Sequence, residues 1–178
     1  MNYCSHCGEK VKFGAVPGDD MPRFYCENCQ TIHYQNPKII VGCIPRWQDK
    51  VLLCKRAIEP RKGLWTLPSG FLENGENVEQ GAMRETREEA NAEVQIIRLF
   101  AVYSLPQLGQ IYLQFLSDLI NLDYHPGMES EEVKLFSKED IPWEQIAFSA
   151  IKFTLDKYFN EASNPRAEVY LGTARKRK

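Results

Sequence analysis

The sequence predicts an α/β sandwich with a mixed sheet, preceded by a small separate N-terminal unit. Strand-length apolar runs bounded by turn residues flank two stretches of helical periodicity. Two Cys-x2-Cys pairs precede the first apolar run. The 178 residues, 43% of them hydrophobic, can bury one proper core and one small appendage. We expect a small unit at residues 1–35, a main domain at 36–162 and a tail at 163–178.

The N-terminal cysteines predict a structural zinc site. Their spacing, C-x2-C-x18-C-x2-C, is that of two zinc knuckles and is formed by Cys4, Cys7, Cys26 and Cys29. Four thiolates complete the tetrahedral shell of Zn²⁺ and leave no position open for catalysis. Two disulfides or a redox pair are the alternatives. A reducing compartment disfavours the disulfides, and a redox pair needs only one of the two knuckles.

The main domain begins with a predicted β-hairpin. Asn36-Pro37 is a turn signal and marks the boundary with the N-terminal unit. Residues 38–45 and 51–56 are apolar runs of strand length, and Asp49-Lys50 separates them as a turn. The hairpin would therefore form the first two strands of the main sheet.

A tight loop and a capped helix follow the hairpin. Pro68 and Gly70 predict a sharp turn, where the glycine lets the main chain approach a bound group closely. Asn77 and Gln80 have the spacing of a capping pair, which predicts a helix from Val78 to about Ala90. The opposite, apolar face of that helix would pack on the sheet.

This helix carries an acidic face. Glu85, Glu88 and Glu89 are three or four residues apart and therefore lie on one side, where Arg84 can hold Glu88. Like charges repel in this arrangement, so an ordinary solvated helix would include a lysine among them. Clustered carboxylates suit Mg²⁺ or Mn²⁺, which bind hard oxygen ligands and keep positions open for water and phosphate.

The stretch Gly70 to Ala92 resembles the Nudix box, whose pattern is G-x5-E-x7-R-E-x2-E-E. The matching residues are Gly70, Glu76, Arg84, Glu85, Glu88 and Glu89. The resemblance implies a Nudix α/β/α sandwich behind a zinc ribbon, a metal-dependent pyrophosphatase, and metal ligation by the five matching residues other than Arg84. The alternative is a charged surface helix. Asn91 stands where the family has glycine, and Thr86 stands where it has an aliphatic residue.

A general base is expected from a loop after the box, because family members often recruit one there. The stretch PGMESEEVKLF supplies Glu129 and Glu132 as the candidates. A solvated acidic loop would have the same sequence, so both interpretations stay open.

The second half of the chain predicts more strands and a final helix. Residues 93–103 and 111–120 are strand-like, and 121–130 is a loop with Pro126-Gly127 at a turn. A short strand is expected at 133–137. Apolar residues at helical spacing over 148–161 predict an amphipathic helix that packs on the core.

The substrate prediction comes from a broader resemblance. The stretches HYQNPKIIVGCI and VLLCKRAIEPRKGLWTLPSGFLENGE are similar to a plant plastid branch of the Nudix family that hydrolyses FAD and ADP-ribose. It implies a small dinucleotide substrate, with Pro106 close to a proline common in ADP-ribose-cleaving members. Arg56 and Arg61 are cations that could meet the diphosphate, although solvated surface is at least as good an interpretation of each.

Two alternatives remain. The NADH pyrophosphatase branch, which can act on NAD-capped RNA, also joins a zinc ribbon to a Nudix domain. Its tryptophan-proline-rich motif is missing from VQIIRLFAVYSLPQLGQ. A non-catalytic ADP-ribose sensor, with a ribbon that binds nucleic acid or protein, is the second alternative, and the intact carboxylates argue against it.

Composition limits the partners. The net charge of −2 gives no reason to expect nucleic acid or an anionic membrane. No apolar run approaches 18 residues and no signal sequence is visible, which predicts a cytoplasmic protein. The resemblance also implies a homodimer.

Overall fold

The computed structural model describes residues 1–161 and 169–174, and the chain divides into two compact units, Met1–Asn36 and Pro37–Lys178. The first unit holds three short antiparallel strands: β1 (Lys12–Gly14), β2 (Arg23–Tyr25) and β3 (Ile32–His33). In the described part of the chain, no helix is long and apolar enough to cross a membrane.

The described residues of the second unit form one sheet of eight strands. In chain order these are β4 (Lys38–Trp47), β5 (Lys50–Arg56), β6 (Trp65–Thr66), β7 (Ser69–Phe71), β8 (Val94–Leu105), β9 (Gln110–Leu119), β10 (Ser130–Phe136) and β11 (Tyr170–Thr173). The α-helices are α1 (Val78–Ala90) and α2 (Ser149–Glu161), and 3₁₀ turns lie at Pro106–Leu108 and Trp143–Gln145.

The sheet is mixed, as predicted. Its strand order is β10-β5-β4-β9-β8-β11, with parallel pairing of β4 to β9 and of β8 to β11. Only the end of β4, at Arg46 and Trp47, pairs with β5. Nearer its start, β4 pairs with β7, and the last part of β5 pairs with β6. Strands β4 and β5 therefore diverge, and the loop leading to α1 occupies the fork between them.

The two helices cover opposite faces of the sheet. A buried cluster that includes Val41, Leu52 and Phe115 packs against Ala82 and Ala90 of α1. A second cluster joins the other face to α2, and its main members are Ile44, Leu53, Phe100, Leu116, Ile151, Leu155 and Tyr158. The α/β/α sandwich is therefore confirmed, with its core in two layers.

The caps of α1 match the prediction. The Asn77 side chain accepts a hydrogen bond from the Gln80 backbone (2.8 Å), and the Gln80 side chain accepts one from the Asn77 backbone (2.9 Å). At the other end, Asn91 adopts the left-handed conformation with φ of 46°. Asparagine tolerates this conformation better than most residues, which is why it can replace the glycine of the family pattern.

Several predicted boundaries were wrong. Lys50 belongs to β5, so the hairpin turn is at Gln48 and Asp49, and β10 begins at Ser130 instead of 133. The region predicted as a tail contains strand β11, which lies parallel to β8. Tail positions 163–168 and 175–178 lie outside the described residues, as does residue 162 of the predicted main domain.

Candidate functional site: an acidic helix face and a cysteine cluster

The four cysteines of the first unit come together. Their ligand atoms all lie within 4.8 Å of one another, with Sγ–Sγ distances of 3.6 Å for Cys4–Cys29 and 3.5 Å for Cys7–Cys26. A tetrahedron with Zn–S bonds of about 2.3 Å has S–S edges of about 3.8 Å, so the cluster fits Zn²⁺. All four cysteines are free thiols, which excludes the predicted alternative of two disulfides in this structure.

Hydrogen bonds favour the thiolate form at Cys29, whereas at Cys26 the lowering effect of the Cys29 backbone is outweighed by burial and by the Cys7 and Cys29 thiols, which raise the pKa of Cys26 to about 11. The Thr31 hydroxyl lies 3.1 Å from Cys29 Sγ, and the Thr31 side chain and backbone lower the pKa of Cys29 to about 6. The His6 backbone N–H donates to Cys4 Sγ at 3.4 Å. The main chain of His6 thus contacts the Cys4 sulfur, as the Thr31 hydroxyl contacts that of Cys29.

In the second unit, Arg84 joins α1 to the loop before it. Its guanidinium donates to both carboxylate oxygens of Glu76, at 3.0 and 2.8 Å, and to the Phe71 carbonyl at 3.0 Å. The hydrogen bonds from Arg84, followed by one from the Glu73 backbone, lower the pKa of Glu76 to about 2. The Glu76 carboxylate, predicted as a metal ligand, is therefore held by Arg84.

Arg84 also holds two carboxylates of its own helix. Its Nη1 atom donates to Glu85 at 2.7 Å and to Glu88 at 3.0 Å. The Glu85 side chain is 12% exposed, while that of Glu88 is 58% exposed. The predicted pairing of Arg84 with Glu88 is confirmed, and one guanidinium orients three of the acids in the pattern.

Gly70 lies directly against Glu85. A Cβ atom at position 70 would overlap the Glu85 carboxylate. Gly70 is held there by β7, where it pairs with Val41 of β4. The glycine thus leaves room for the carboxylate, and the backbone of the loop and the acid of the helix meet at the fork in the sheet.

Glu89 is a buried acid without a full set of partners. It is 6% exposed, and its Oε2 atom has no hydrogen-bond partner. Burial, then the charge of Glu85, raises the pKa of Glu89 to about 8, against smaller opposing effects of Arg56 and the Ser69 backbone. Burial also raises the pKa of Glu85, and the Glu88 and Glu129 carboxylates add to that shift.

The structure separates the two candidate bases. Glu129 lies close enough to Glu85 and Glu89 to shift the pKa of both, and its carbonyl accepts from the Ala57 backbone at 2.8 Å. Glu132 pairs with Lys55 across the sheet. The next residue, Val133, packs on the α1 side, so strand alternation directs Glu132 toward the other face. Glu129 joins the acidic face and Glu132 does not.

The three predicted substrate-binding residues lie in different places. Arg56, at the end of β5, acts electrostatically on Glu89, while its guanidinium lies 5.2 Å from the centre of the Phe148 ring. Arg61 is exposed in the loop after β5, with φ of 68°. Pro106 begins the 3₁₀ turn between β8 and β9. Only Arg56 is thereby brought next to the acids.

The acidic face fits a divalent cation on chemical grounds. Glu85 and Glu89 are buried carboxylates, and an orphaned buried oxygen such as Glu89 Oε2 is costly unless a proton or a cation compensates it. Among the described residues, only the four thiols form a compact group of ligand atoms. The carboxylates of Glu76, Glu85 and Glu88 are held by Arg84 instead, and an ion such as Mg²⁺, which keeps several water and phosphate ligands, needs only one or two protein carboxylates.

Sequence reasoning missed contacts made by the main chain. The Phe71 carbonyl accepts a hydrogen bond from Arg84, and the Ser69 backbone donates one to Glu89. The loop at Gly127 packs on the end of α1, where a Cβ would overlap the Glu88 carbonyl. Backbone groups have no sequence signature of their own, but the glycine in PGMESEE was an available signal for a close approach.

Comparison with known proteins covers both units. A family model described as NUDIX domain matches residues 36–156, and a zinc-ribbon model described as Nudix N-terminal matches residues 2–35. A crystal structure of a NUDIX hydrolase from Nitrosomonas europaea is similar with a TM-score of 0.93 and 53% identity, over 98% of this chain and 99% of that one.

Two named groups of relatives are also similar. An ADP-ribose pyrophosphatase of Methanocaldococcus jannaschii is 33% identical over 127 residues, which are 69% of this chain and 74% of that protein. The NAD-capped RNA hydrolase NudC of Photobacterium profundum is 31% identical over 140 residues, which are 78% of this chain and 50% of that protein. The chain thus spans about half the length of the NudC relative.

Proposed function

We propose that this chain, which belongs to the Nudix hydrolase family, hydrolyses the diphosphate bridge of a nucleoside diphosphate derivative, using Mg²⁺ or Mn²⁺. The observation that carries the proposal is the pair of buried carboxylates, Glu85 and Glu89, one with an unpartnered oxygen, at the fork of the sheet. Few structural roles require two carboxylates four residues apart on one helix to be buried when only one of them, Glu85, is paired with a cation.

The acidic residues and Arg84 have different proposed roles. Glu85, Glu88 and Glu89 would hold divalent ions, together with the Gly70 carbonyl and Glu76. When bound, such ions neutralise the charge of the diphosphate and lower the pKa of an attacking water. Arg84 keeps the carboxylates oriented through its hydrogen bonds to the helix and the loop.

Glu129 is the proposed general base. Its carboxylate lies within electrostatic range of Glu85 and Glu89, so it can reach a water held at the same acidic face. Arg56, beside Glu89 and at the edge of the face, is the cation best placed to meet a substrate phosphate. Arg61 and Pro106 have the weaker support of loop position alone.

ADP-ribose is the preferred substrate, with AMP and a phosphorylated sugar as products. The sequence resemblance and the name of the Methanocaldococcus jannaschii relative both support it. FAD rests on the sequence resemblance alone. Hydrolysis of NAD-capped RNA is a second candidate, supported by the similarity to NudC proteins over most of this chain.

The cysteine cluster would hold a structural Zn²⁺. Its four sulfur atoms complete a tetrahedral shell, so no ligand position would remain for a reacting water. The first unit spans only residues 1–36, and its three strands are two or three residues long. A unit of this size buries too little apolar surface to fold on its core alone, so the zinc would supply folding free energy.

The test is a hydrolysis panel with a matched pair of variants. ADP-ribose, FAD, NADH, diadenosine compounds and NAD-capped RNA are incubated with Mg²⁺ or Mn²⁺; AMP release is measured for the small substrates, and release of nicotinamide mononucleotide is measured for the capped RNA. Glu88→Gln should lower kcat/KM by about 100-fold or more, since it removes a direct ligand while the fold is kept. Glu79→Gln makes the same change on an exposed part of α1 and should have little effect. Turnover that persists in Glu88→Gln would contradict the proposal.

A further inference from the structure

The loop before β10 is fastened to the C-terminal end of α1. The His125 backbone N–H donates to the Ala90 carbonyl at 3.0 Å, and the Gly127 N–H donates to the Glu89 carbonyl at 2.9 Å. These carbonyls belong to the last turn of the helix, where no intrahelical donor is available. The loop thus serves as the cap of the helix that carries the acidic face.

The Asn91 side chain makes further hydrogen bonds to the same loop. Its Nδ2 atom donates to the His125 carbonyl at 3.2 Å and to the Pro126 carbonyl at 3.3 Å. Its left-handed backbone, with φ of 46°, is what a glycine at the family position would also adopt. Glycine would serve the backbone equally well but has no amide to offer the loop.

The fastened loop continues directly into Glu129. Gly127 packs so closely on α1 that a Cβ would overlap the Glu88 carbonyl. Two residues later, the Glu129 carbonyl accepts from the Ala57 N–H, which follows the last residue of β5. Glu129 is therefore held between the end of the acidic helix on one side and the strand that carries Arg56 on the other.

We propose that Asn91 is a positioning residue that holds the loop of residues 121–129, and with it the Glu129 carboxylate, over the acidic face of α1. This inference rests on the proposed function insofar as Glu129 acts there as a base. The asparagine that departs from the family pattern thereby gains a role that the glycine cannot perform.

The first test measures the loop without requiring turnover. In metal-free Asn91→Gly, the amides of His125 and Gly127 should exchange with deuterium about tenfold faster, because two hydrogen bonds to the loop are lost. Gln48→Gly is the matched control: Gln48 also has a left-handed backbone, with φ of 57°, but lies in the β4–β5 turn. Unchanged exchange in Asn91→Gly, or equal acceleration in Gln48→Gly, would overturn the inference.

The second test asks whether Asn91 acts through Glu129. Asn91→Gly should lower kcat about tenfold with KM within about twofold of the wild type, since it disturbs the base and not the ground-state contacts. In a Glu129→Gln background the same substitution should cause no further loss. Equal losses in both backgrounds would refute the positioning role. If the wild type hydrolyses none of the panel, the proposed function fails, and the exchange measurement alone decides the role of Asn91.

Discussion

Gly70 illustrates how the absence of a side chain makes room for a neighbouring carboxylate. It has an ordinary backbone conformation, so its value lies in the space it leaves for the Glu85 carboxylate. The overlap that a side chain would create is with the end of a flexible side chain, which can move at small cost. A substitution at this position should therefore lower activity while leaving stability almost unchanged.

We expect Gly70→Ala to lower kcat/KM by about tenfold or more while changing the midpoint of thermal unfolding little. The added methyl group would displace the Glu85 carboxylate, and a displacement of about 1 Å at a reacting site is costly. Gly75→Ala in the same loop is the comparison, because a Cβ there meets no atom within 4 Å. Gly75 has φ of 95°, so its variant should lose stability instead. Equal activity in Gly70→Ala and the wild type would contradict this account.

Glu89 should make the metal-free protein sensitive to pH. Its pKa rises from the ordinary 4.5 to about 8, so between these values the folded carboxyl keeps a proton that the unfolded one has released. The free energy of unfolding should therefore fall as pH rises through this window. We expect thermal unfolding of metal-free protein to show this loss between about pH 5 and pH 8, and saturating Mg²⁺ to reverse it.

The matched variant for this pH effect is Glu89→Gln, which has a similar shape and does not ionise. It should show a smaller decrease in unfolding temperature over the same pH range, and little response to Mg²⁺. A decrease as large as that of the wild type would mean that another group is responsible for the pH dependence.

At the scale of elements, α1 and β11 differ in how they are specified. The limits of α1 follow from local contacts: the Asn77–Gln80 capping box at one end and Asn91 at the other. Strand β11 has a short apolar sequence and forms on the edge of the sheet by parallel pairing with β8. Its Gly172 lies between the rings of Tyr103 and Phe153, one from β8 and one from α2.

We expect Gly172→Val to detach β11. The new side chain would overlap the two rings, and overpacking of this kind costs about 1–3 kcal/mol of the free energy of unfolding. Amide exchange in the β8 segment that pairs with β11 should become faster in the variant. Leu171→Ala is the control, because Leu171 is 77% exposed and its truncation should change little. Unaltered exchange in β8 would show that the strand tolerates the larger residue.

At the scale of the molecule, the two compact units should respond differently to chelation. The first unit contains the four thiols and only three short strands, whereas the second has a core of its own on both faces of its sheet. Removing zinc with a strong chelator should unfold residues 1–36 and leave the second unit folded. Residue-resolved amide exchange before and after chelation would measure this, and added Zn²⁺ should restore the first unit. Protection that survives complete zinc removal would refute a metal-dependent fold.

Much of the fold could be predicted because its signals are local. Helix α1 follows from its caps and from apolar spacing, and the hairpin of β4 and β5 follows from two apolar runs around a turn. The spacing of the four cysteines likewise predicted their assembly. Strands β6, β7 and β11 are only two, three and four residues long, so each depends on a distant partner strand.

The sequence by itself determined which acids exist and on which helix face they lie, because helical periodicity depends on residue spacing alone. Only the tertiary structure decided which acid is buried, which is held by Arg84, and which candidate base reaches them. Glu129 and Glu132 are only three residues apart, yet Glu129 lies in the loop held against the end of α1, whereas Glu132 lies within β10, where strand alternation directs its side chain to the other face of the sheet. Burial and long-range contacts arise from packing between distant segments, so they cannot be deduced from the spacing of residues along the chain.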